Sequence, residues 1–289
     1  MNPLAERPAP RSQPSLYESP EIYDVAFGWN LAMELDFLES CLARHVADPV
    51  RSILEPACGT GRILAALVDR GYEVTGYDLR PEMVAFAAAK VAPFGGRVMR
   101  GDMATFKPPG LYDAAINLVN SIGYLLEDDS VTSHLERVAE SLRPGGVYLV
   151  QFSYGGEPPE QSTFGPWANA RGGLETTLTW RVEREDPGSR RSYQQCHITA
   201  RRGGEERILQ ESHVLRYWTQ EDFDRLVEKS PFELAAVYFD RFEEHPLGDA
   251  RTGADGNLYH VLRRRDARRV RSISPGGARR APRPDRWEE

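Results

Sequence analysis

Two glycines one residue apart, Gly59 and Gly61, follow a short apolar run, and Asp78 closes a second apolar run seventeen residues after Gly61. Glycine either lets a ligand approach the backbone closely or adopts an angle that other residues avoid. A carboxylate at the end of the neighbouring strand can accept two hydrogen bonds from vicinal ribose hydroxyls. Together these residues describe a nucleoside site. A dinucleotide motif would place a third glycine where this chain has Leu64, with the pyrophosphate on the following helix N-terminus. Glu55, at the mouth of the same loop, would repel a pyrophosphate and suit a ligand carrying an ammonium group. S-adenosylmethionine has a ribose, an amino-acid end and no phosphate. A nicotinamide dinucleotide, and an oxidoreductase using it, is the alternative.

The elements that must position these residues alternate. "PVRSILEPA" reads as a buried strand and "GRILAALVDRG" as a helix with Ile63, Leu64, Leu67 and Val68 at helical spacing and Gly71 as its stop. "YEVTGYD", "GRVMRGDM", "YDAAINLVN" and "VYLVQFS" read as further strands, with helices over "RPEMVAFAAAKVA" and "VTSHLERVAESLRPGG". Strand–helix alternation of this kind predicts an α/β, doubly wound, Rossmann-like and mostly parallel sheet covered on both faces. In such sheets ligands bind beyond the carboxyl ends of the strands, where strand order reverses, and the "PACGTG" loop sits there. After Phe152 the period changes from helical to alternating. Leu174, Thr176, Leu178, Trp180 and Val182 would share one face, with turn signals at "DPGS" and "RGGE". The reading is a three-stranded antiparallel insertion over about 172–218, lying on the carboxyl ends of the main strands and shaping an acceptor pocket; a dimer interface through its apolar face is the rival. Thr219 caps a helix over "TQEDFDRLVEKS", and "FELAAVYFD" and "NLYHVLRR" return as two last strands.

Length and composition set limits on this. A chain of 289 residues with 40% apolar content holds one large domain with a real core. The Pro-rich first sixteen residues read as a flexible tail, residues 17–265 as the folded domain, and 266–289 as a disordered Arg/Pro-rich tail. Ten arginines against four acids between Arg263 and Glu289 leave the remainder strongly acidic, although the net charge is only −7. An acidic body disfavours nucleic acid as a partner. No secretory leader and no membrane-spanning run is visible, and three scattered cysteines suggest reduced thiols, so a cytoplasmic monomer or homodimer is expected. No histidine–acid spacing suggests a metal.

At these motifs the chain resembles the class I S-adenosylmethionine-dependent methyltransferases. "EPACGTGR" resembles the family's glycine motif, "VTGYDLRPEMV" its acidic motif, "GDM" its adenine motif and "LRPGGVYLV" its turn into the fifth strand. The resemblance implies a seven-stranded sheet ending in a hairpin. It implies Glu55, Ala57 and Gly59 at the methionine end of the cofactor, Asp78 at the ribose, Asp102 and Met103 at the adenine, and Asn117 under the sulfonium. Cys58, Gly61, Arg62, Leu79 and Met83 complete the implied cofactor-binding set. "PEIYDVAFGW" and the insertion are similar to small-molecule N- or O-methyltransferases that modify glycine or amino sugars, in which an N-terminal tyrosine, here Tyr23, closes over the cofactor. The expected partner is a small-molecule methyl acceptor. "NLVNSIGY" replaces the Asn/Asp-Pro-Pro-aromatic run of enzymes that methylate base or amide nitrogens.

Methyl transfer is an in-line displacement in which orientation supplies much of the acceleration, so a dedicated base is optional. Asn120, Ser121 and Tyr124 should face the transferred methyl, or simply pack a loop. Among six histidines, His245 in "FEEHPLGD" is the best general-base candidate, while His197, His213 and His260 suit strand faces. Phe27 reads as packing, and Trp29 as either packing or substrate entrance. Trp180 and Trp218 read as members of a small core within the insertion. A module that holds the cofactor without catalysis, acting on RNA or protein, is a third reading.

Overall fold

The computed structural model describes residues 15–155, 162–239, 242–252 and 256–265. Helices α1 (Pro20–Ala26) and α2 (Ala32–His45) precede the alternating region. That region runs β1 (Ser52–Pro56), α3 (Arg62–Asp69), β2 (Glu73–Asp78), α4 (Pro81–Val91), β3 (Arg97–Arg100), β4 (Tyr112–Asn117), α5 (Asp128–Ser141) and β5 (Leu142–Ser153). Four long strands follow: β6 (Ser162–Arg171), β7 (Leu174–Asp186), β8 (Arg191–Arg202) and β9 (Glu205–Arg216). The described chain ends with α6 (Gln220–Lys229), β10 (Phe232–Tyr238), β11 (Glu244–His245) and β12 (Asn257–Arg264).

The main sheet has the order β11-β10-β12-β5-β4-β1-β2-β3. Strands β1 to β5 pair in parallel, and β12, β10 and β11 are antiparallel. This is the doubly wound arrangement expected, with an eighth strand: two residues of the β10–β12 connection pair against Val237 and Tyr238 at the sheet edge. Sequence order reverses between β2 and β4 on either side of β1, so the loop after β1 opens at the switch point. Two apolar cores cover the faces. One holds Tyr77, Leu135 and Phe152, and the other Leu38, Leu64 and Leu149.

Leu64 is wholly buried, and a Cβ on Gly76 would lie 2.5 Å from its Cδ1. The close packing of helix on strand that a third loop glycine usually permits is thus obtained from the strand side. Gly61 is needed for the same reason. Its φ is +67°, and a Cβ there would sit 2.9 Å from the Cβ of Ala87 on α4.

The insertion departs from the expectation. It is a separate four-stranded sheet, β6-β7-β8-β9, and starts at Ser162 rather than near Gly172. "STFGPWANAR" carries a glycine and a proline, which read as a loop; they form a bulge instead. Phe164 opposes Trp180 and Trp167 opposes Leu178, so one extra residue lies between the pairs on β6. Residues three apart on a regular strand face opposite ways, and the extra residue returns Phe164 and Trp167 to one face. Gly165 permits it, with φ +95° and no room for a Cβ beside the Leu178 carbonyl.

The N-terminal segment locks this sheet to the body. Leu16, Ile22, Val25 and Phe27 form a third core with Leu174, Leu178 and Ile198. Ser15 and Leu16 are buried, so the folded body begins before residue 17, where the sequence pattern places its start. The rest of the expected N-terminal tail, and the one from residue 266, fall outside the described residues. Asp24 on α1 is buried and bridges Lys90 on α4, at 2.5 Å, and Arg171 on β6. At the far end Asp128, the first residue of α5, holds Arg216 at 2.5 Å, Arg190 at 2.7 Å and Arg225 at 3.1 Å. Although burial works the other way, these guanidinium groups hold the Asp128 carboxyl down at about 2. Trp218 belongs to the main core, packed on Phe152 and Phe223, and not to a core of the insertion.

Among the described residues, no helix is long and apolar enough to cross a membrane.

Candidate active site

A cavity of about 1540 Å³ lies between the carboxyl ends of β1, β2 and β4 and the inserted sheet. Its floor is built by the strand-end loops. After β1 the chain turns at once through the left-handed region, at Ala57 (φ 54°), Gly59 (φ 53°) and Gly61 (φ 67°). The Gly59 N–H donates to Asp78 Oδ2 and the Arg80 N–H to Asp78 Oδ1, both at 2.9 Å. The glycine loop and the acidic strand end are therefore one unit. Each Asp78 oxygen retains accepting capacity, and the carboxylate lines the cavity. Burial raises its pKa, and the N–H groups of Arg80 and Gly59 oppose that.

Glu55 lies behind this loop. It is buried, and its Oε2 has no hydrogen-bond partner among the described residues. Burial pushes its carboxyl up to about 8, helped by Asp78 and Glu34 and opposed by Arg62. Asn117 at the end of β4 donates to the Pro56 carbonyl at 3.0 Å, and its buried Oδ1 has no partner among the described residues. Buried, unsatisfied polar atoms are costly and call for an explanation. Two of them beside one loop fit an occupant with cationic and N–H donors.

Asp102 and Met103 line the cavity beyond β3, and Asp102 Oδ1 accepts the Ala104 N–H at 2.8 Å. Leu79 and Tyr23 also line it, and the Tyr23 ring leans over Gly59, 4.0 Å from where a Cβ would stand. Six residues expected at the cofactor are not in the wall. Cys58 is buried against Gly76, and Met83 is wholly buried in α4. Gly61 packs α3 on α4, Asn117 and Glu55 lie one layer down, and Arg62 stacks its guanidinium 4.3 Å from the centre of the Trp29 ring. Met83 and Cys58 thus shape the loop from behind, because apolar side chains at those helix and turn positions point into the core. Arg62 acts on Glu55 and Trp29.

The opposite wall follows β4. Val119 (φ 56°) and Asn120 (φ 54°) both occupy the left-handed region, which is rare for a β-branched residue. The Val119 N–H donates to Gln151 Oε1 at 2.7 Å. Asn120 lines the cavity with a buried Oδ1 that has no partner among the described residues. Tyr124, one helical turn on, has its hydroxyl 2.5 Å from that of Tyr17 and 3.0 Å from His213 Nδ1. His213 stacks on Trp180, ring centres 4.8 Å apart. Burial raises the phenol pKa of Tyr124, with the Tyr17 hydrogen bond opposing, and burial likewise raises those of Tyr17 and Tyr23. All three hydroxyls stay protonated at neutral pH.

His245 is a correction. It sits on β11 at the outer edge of the main sheet, buried, with its ring on Phe239 and Nδ1 2.9 Å from the Pro246 carbonyl oxygen, and it is not in the cavity wall. Acidic neighbours in sequence suggested an exposed loop, whereas those residues pair as an edge strand. The histidine that the fold brings to the site, behind the wall and bonded to Tyr124, is His213, read from sequence only as a strand-face residue. Nothing in the sequence around Tyr17 marks it as a site residue. His213 and Tyr17 lie 89 and 107 residues from Tyr124 along the chain, and no local pattern records such a pairing.

The methyltransferase domain family matches residues 53–146, which hold the glycine loop, Asp78 and the first four parallel strands. A putative methyltransferase of Bacillus subtilis is 36% identical over 99 residues, covering 34% of this chain and 40% of that protein. A dTDP-3-amino-3,6-dideoxy-alpha-D-glucopyranose N,N-dimethyltransferase of Streptomyces fradiae is 30% identical over 220 residues, 72% of this chain and 81% of the relative. The chain spans about half the length of the other curated relatives that it matches. Among solved structures, a sugar N-methyltransferase from Streptoalloteichus aligns at TM-score 0.69 and 22% identity over 91% of this chain and 99% of that one, a likeness of fold. On the extent and identity of the Streptomyces fradiae match, the chain belongs to the class I S-adenosylmethionine-dependent methyltransferase family.

Proposed function

We propose that the protein methylates the amino nitrogen of a small molecule of the amino-sugar type. The observation that carries this reading is the wall after β4. There Asn120, whose buried Oδ1 has no partner among the described residues and could turn to accept an amine N–H, lines the cavity with Tyr124, whose hydroxyl is bonded to His213. The relatives support the same class: two are sugar N,N-dimethyltransferases of Streptomyces fradiae and Streptomyces venezuelae. The cavity is formed by residues of one chain, so the reading needs no second copy. Three buried, reduced cysteines agree with a cytoplasmic protein.

The residues around the glycine loop fit S-adenosylmethionine. Its ammonium would answer the orphaned Glu55 Oε2, and its ribose hydroxyls the lone pairs of Asp78. Asp102 and Met103 would hold the adenine, and Tyr23 would close over the loop. The cofactor, when bound, supplies an electrophilic methyl group, and the protein's part is to orient the acceptor and exclude water. Asn120 orients the amine so that its lone pair forms the new C–N bond. The nitrogen then sheds one proton. Tyr124 accepts it as its own hydroxyl proton passes to His213 Nδ1, so the phenol never becomes an anion.

The test is S-adenosylhomocysteine release from a panel of amino sugars, free and nucleotide-linked, each beside its N-acetyl derivative. Turnover should require the free amine. Equal turnover of the N-acetyl derivatives would assign the methyl to oxygen, and release from none of the panel would favour binding without catalysis.

A further inference from the structure

We propose that the acceptor reaches this cavity as a free amine on an aromatic or apolar body, with no nucleotide diphosphate attached. The inference rests on the methyl-transfer reading above and names the class of its acceptor. Two observations carry it. The first is the outer wall. The bulge on β6 turns Phe164 and Trp167 to the same face as Leu178, Trp180 and Val182, and all five line the cavity. Phe164 and Trp167 remain 49% and 43% exposed, an open aromatic surface that no residue of the chain covers among those described. At about 1540 Å³ the cavity exceeds the roughly 300–1,000 Å³ of a single-ligand pocket. It has room for a large acceptor beside the cofactor.

The second observation is charge. Among the described residues lining the cavity only Arg80 and Arg216 are cationic, against Glu34, Asp78, Asp102 and Glu185. Arg80 stands beside Asp78 in the cofactor half. Arg216 is buried, with Nη2 on Asp128 at 2.5 Å, Nη1 on the Leu126 carbonyl at 3.2 Å and the guanidinium 4.5 Å from the Trp218 ring centre. Its side chain is wholly buried on Asp128, which it shares with Arg190 and Arg225, so it is not free to meet a ligand. A diphosphate is recognised by guanidinium forks, ammonium groups or helix N-termini that are free to meet it, and the acceptor half presents none. Placing two negative charges there, next to Glu185, would leave them unpaired in a drying site. A thymine base could stack on Trp167 as well as any other ring, so the diphosphate is what separates the two acceptor classes. An amine is favoured by the same acidic lining.

The experiment is calorimetric titration of the full chain, saturated with S-adenosylhomocysteine, with two probes: 4-nitrophenyl 3-amino-3-deoxy-glucoside and a dTDP-linked 3-amino-3,6-dideoxyglucose. The aryl glycoside should bind at least tenfold more tightly. Its affinity should fall severalfold in Trp167→Ala and in Phe164→Ala, with the affinity for S-adenosylhomocysteine kept as a check on folding. Equal or tighter binding of the dTDP sugar, or aryl affinity untouched by both substitutions, would overturn the proposal. Aryl binding without product release in the presence of S-adenosylmethionine would instead remove the catalytic reading and leave the ligand class standing.

Discussion

The two halves of the cavity are built on different principles. The half proposed for the cofactor is made of strand ends. Gly59, Asp78 and the Arg80 backbone lie within one β-α-β unit and are joined by hydrogen bonds of 2.9 Å. The half proposed for the acceptor is assembled from Tyr17 near the N-terminus, Tyr124 after β4 and His213 on β9. A parallel sheet places its loops by backbone register, so the first half is as rigid as the sheet. The second depends on how an inserted sheet sits on the body, which is set by Asp24 and Asp128 with their arginine and lysine partners. The same scaffold can therefore keep its cofactor while changing its acceptor.

If the halves are independent, damage to one should leave the other's readout alone. The largest effect is expected for Tyr124→Phe and His213→Gln. Losing a positioned proton path lowers kcat by about 10²-fold or more, with the Kd for S-adenosylmethionine unmoved. An alkaline shift or flattening of the kcat–pH profile would distinguish this from loss of packing. Unchanged kcat in both variants would remove the relay.

Next comes Asp78→Ala. Hydrogen bonds to a charged group contribute about 1.5–3 kcal/mol, so cofactor affinity should fall roughly tenfold to a hundredfold, with the melting temperature little changed. Acceptor KM at saturating cofactor should hold. Unchanged cofactor affinity in calorimetry would take Asp78 out of the site.

The smallest effect concerns Glu55. Its folded pKa of about 8 lies above the ordinary carboxylate value. The raised value stabilises the ligand-free protein fully at acid pH, and that contribution is lost as pH rises through 8. A cationic ammonium beside it favours the ionised form, so cofactor binding should release up to one proton near pH 7. Affinity should then climb modestly with pH and level off above 8. Titrations in phosphate and Tris buffers read the proton directly. Glu55→Gln should abolish both the release and the pH dependence, and a release that persists in the variant would place the titrating group elsewhere.

What could be read without coordinates follows the same division. The glycine loop, the Asp78 position and the helices α3 and α4 were legible because each depends on spacing within a few residues, through helical periodicity, a glycine stop and a proline in the first turn. The capping of α6 was legible for that reason too, and the Thr219 hydroxyl does accept the Asp222 N–H. The fourth strand of the insertion was not, since "FGPW" carries turn residues that only a bulged pairing with Leu178 and Trp180 turns into sheet. His245 was misread because sequence neighbours suggested a solvent loop, while pairing with Val237 makes it an edge strand.

The amino-acid sequence by itself thus determined the order of strands and helices, the bare backbone after β1 and the carboxylate beside it. These are local choices of propensity, period and backbone freedom. Only the tertiary structure decided which histidine bonds the cavity residue Tyr124, that Glu55 is buried with an oxygen unpartnered among the described residues, and that Arg216 is buried on Asp128. Those outcomes depend on contacts across tens to a hundred residues, and on the dielectric and packing that exist only once the two sheets face each other.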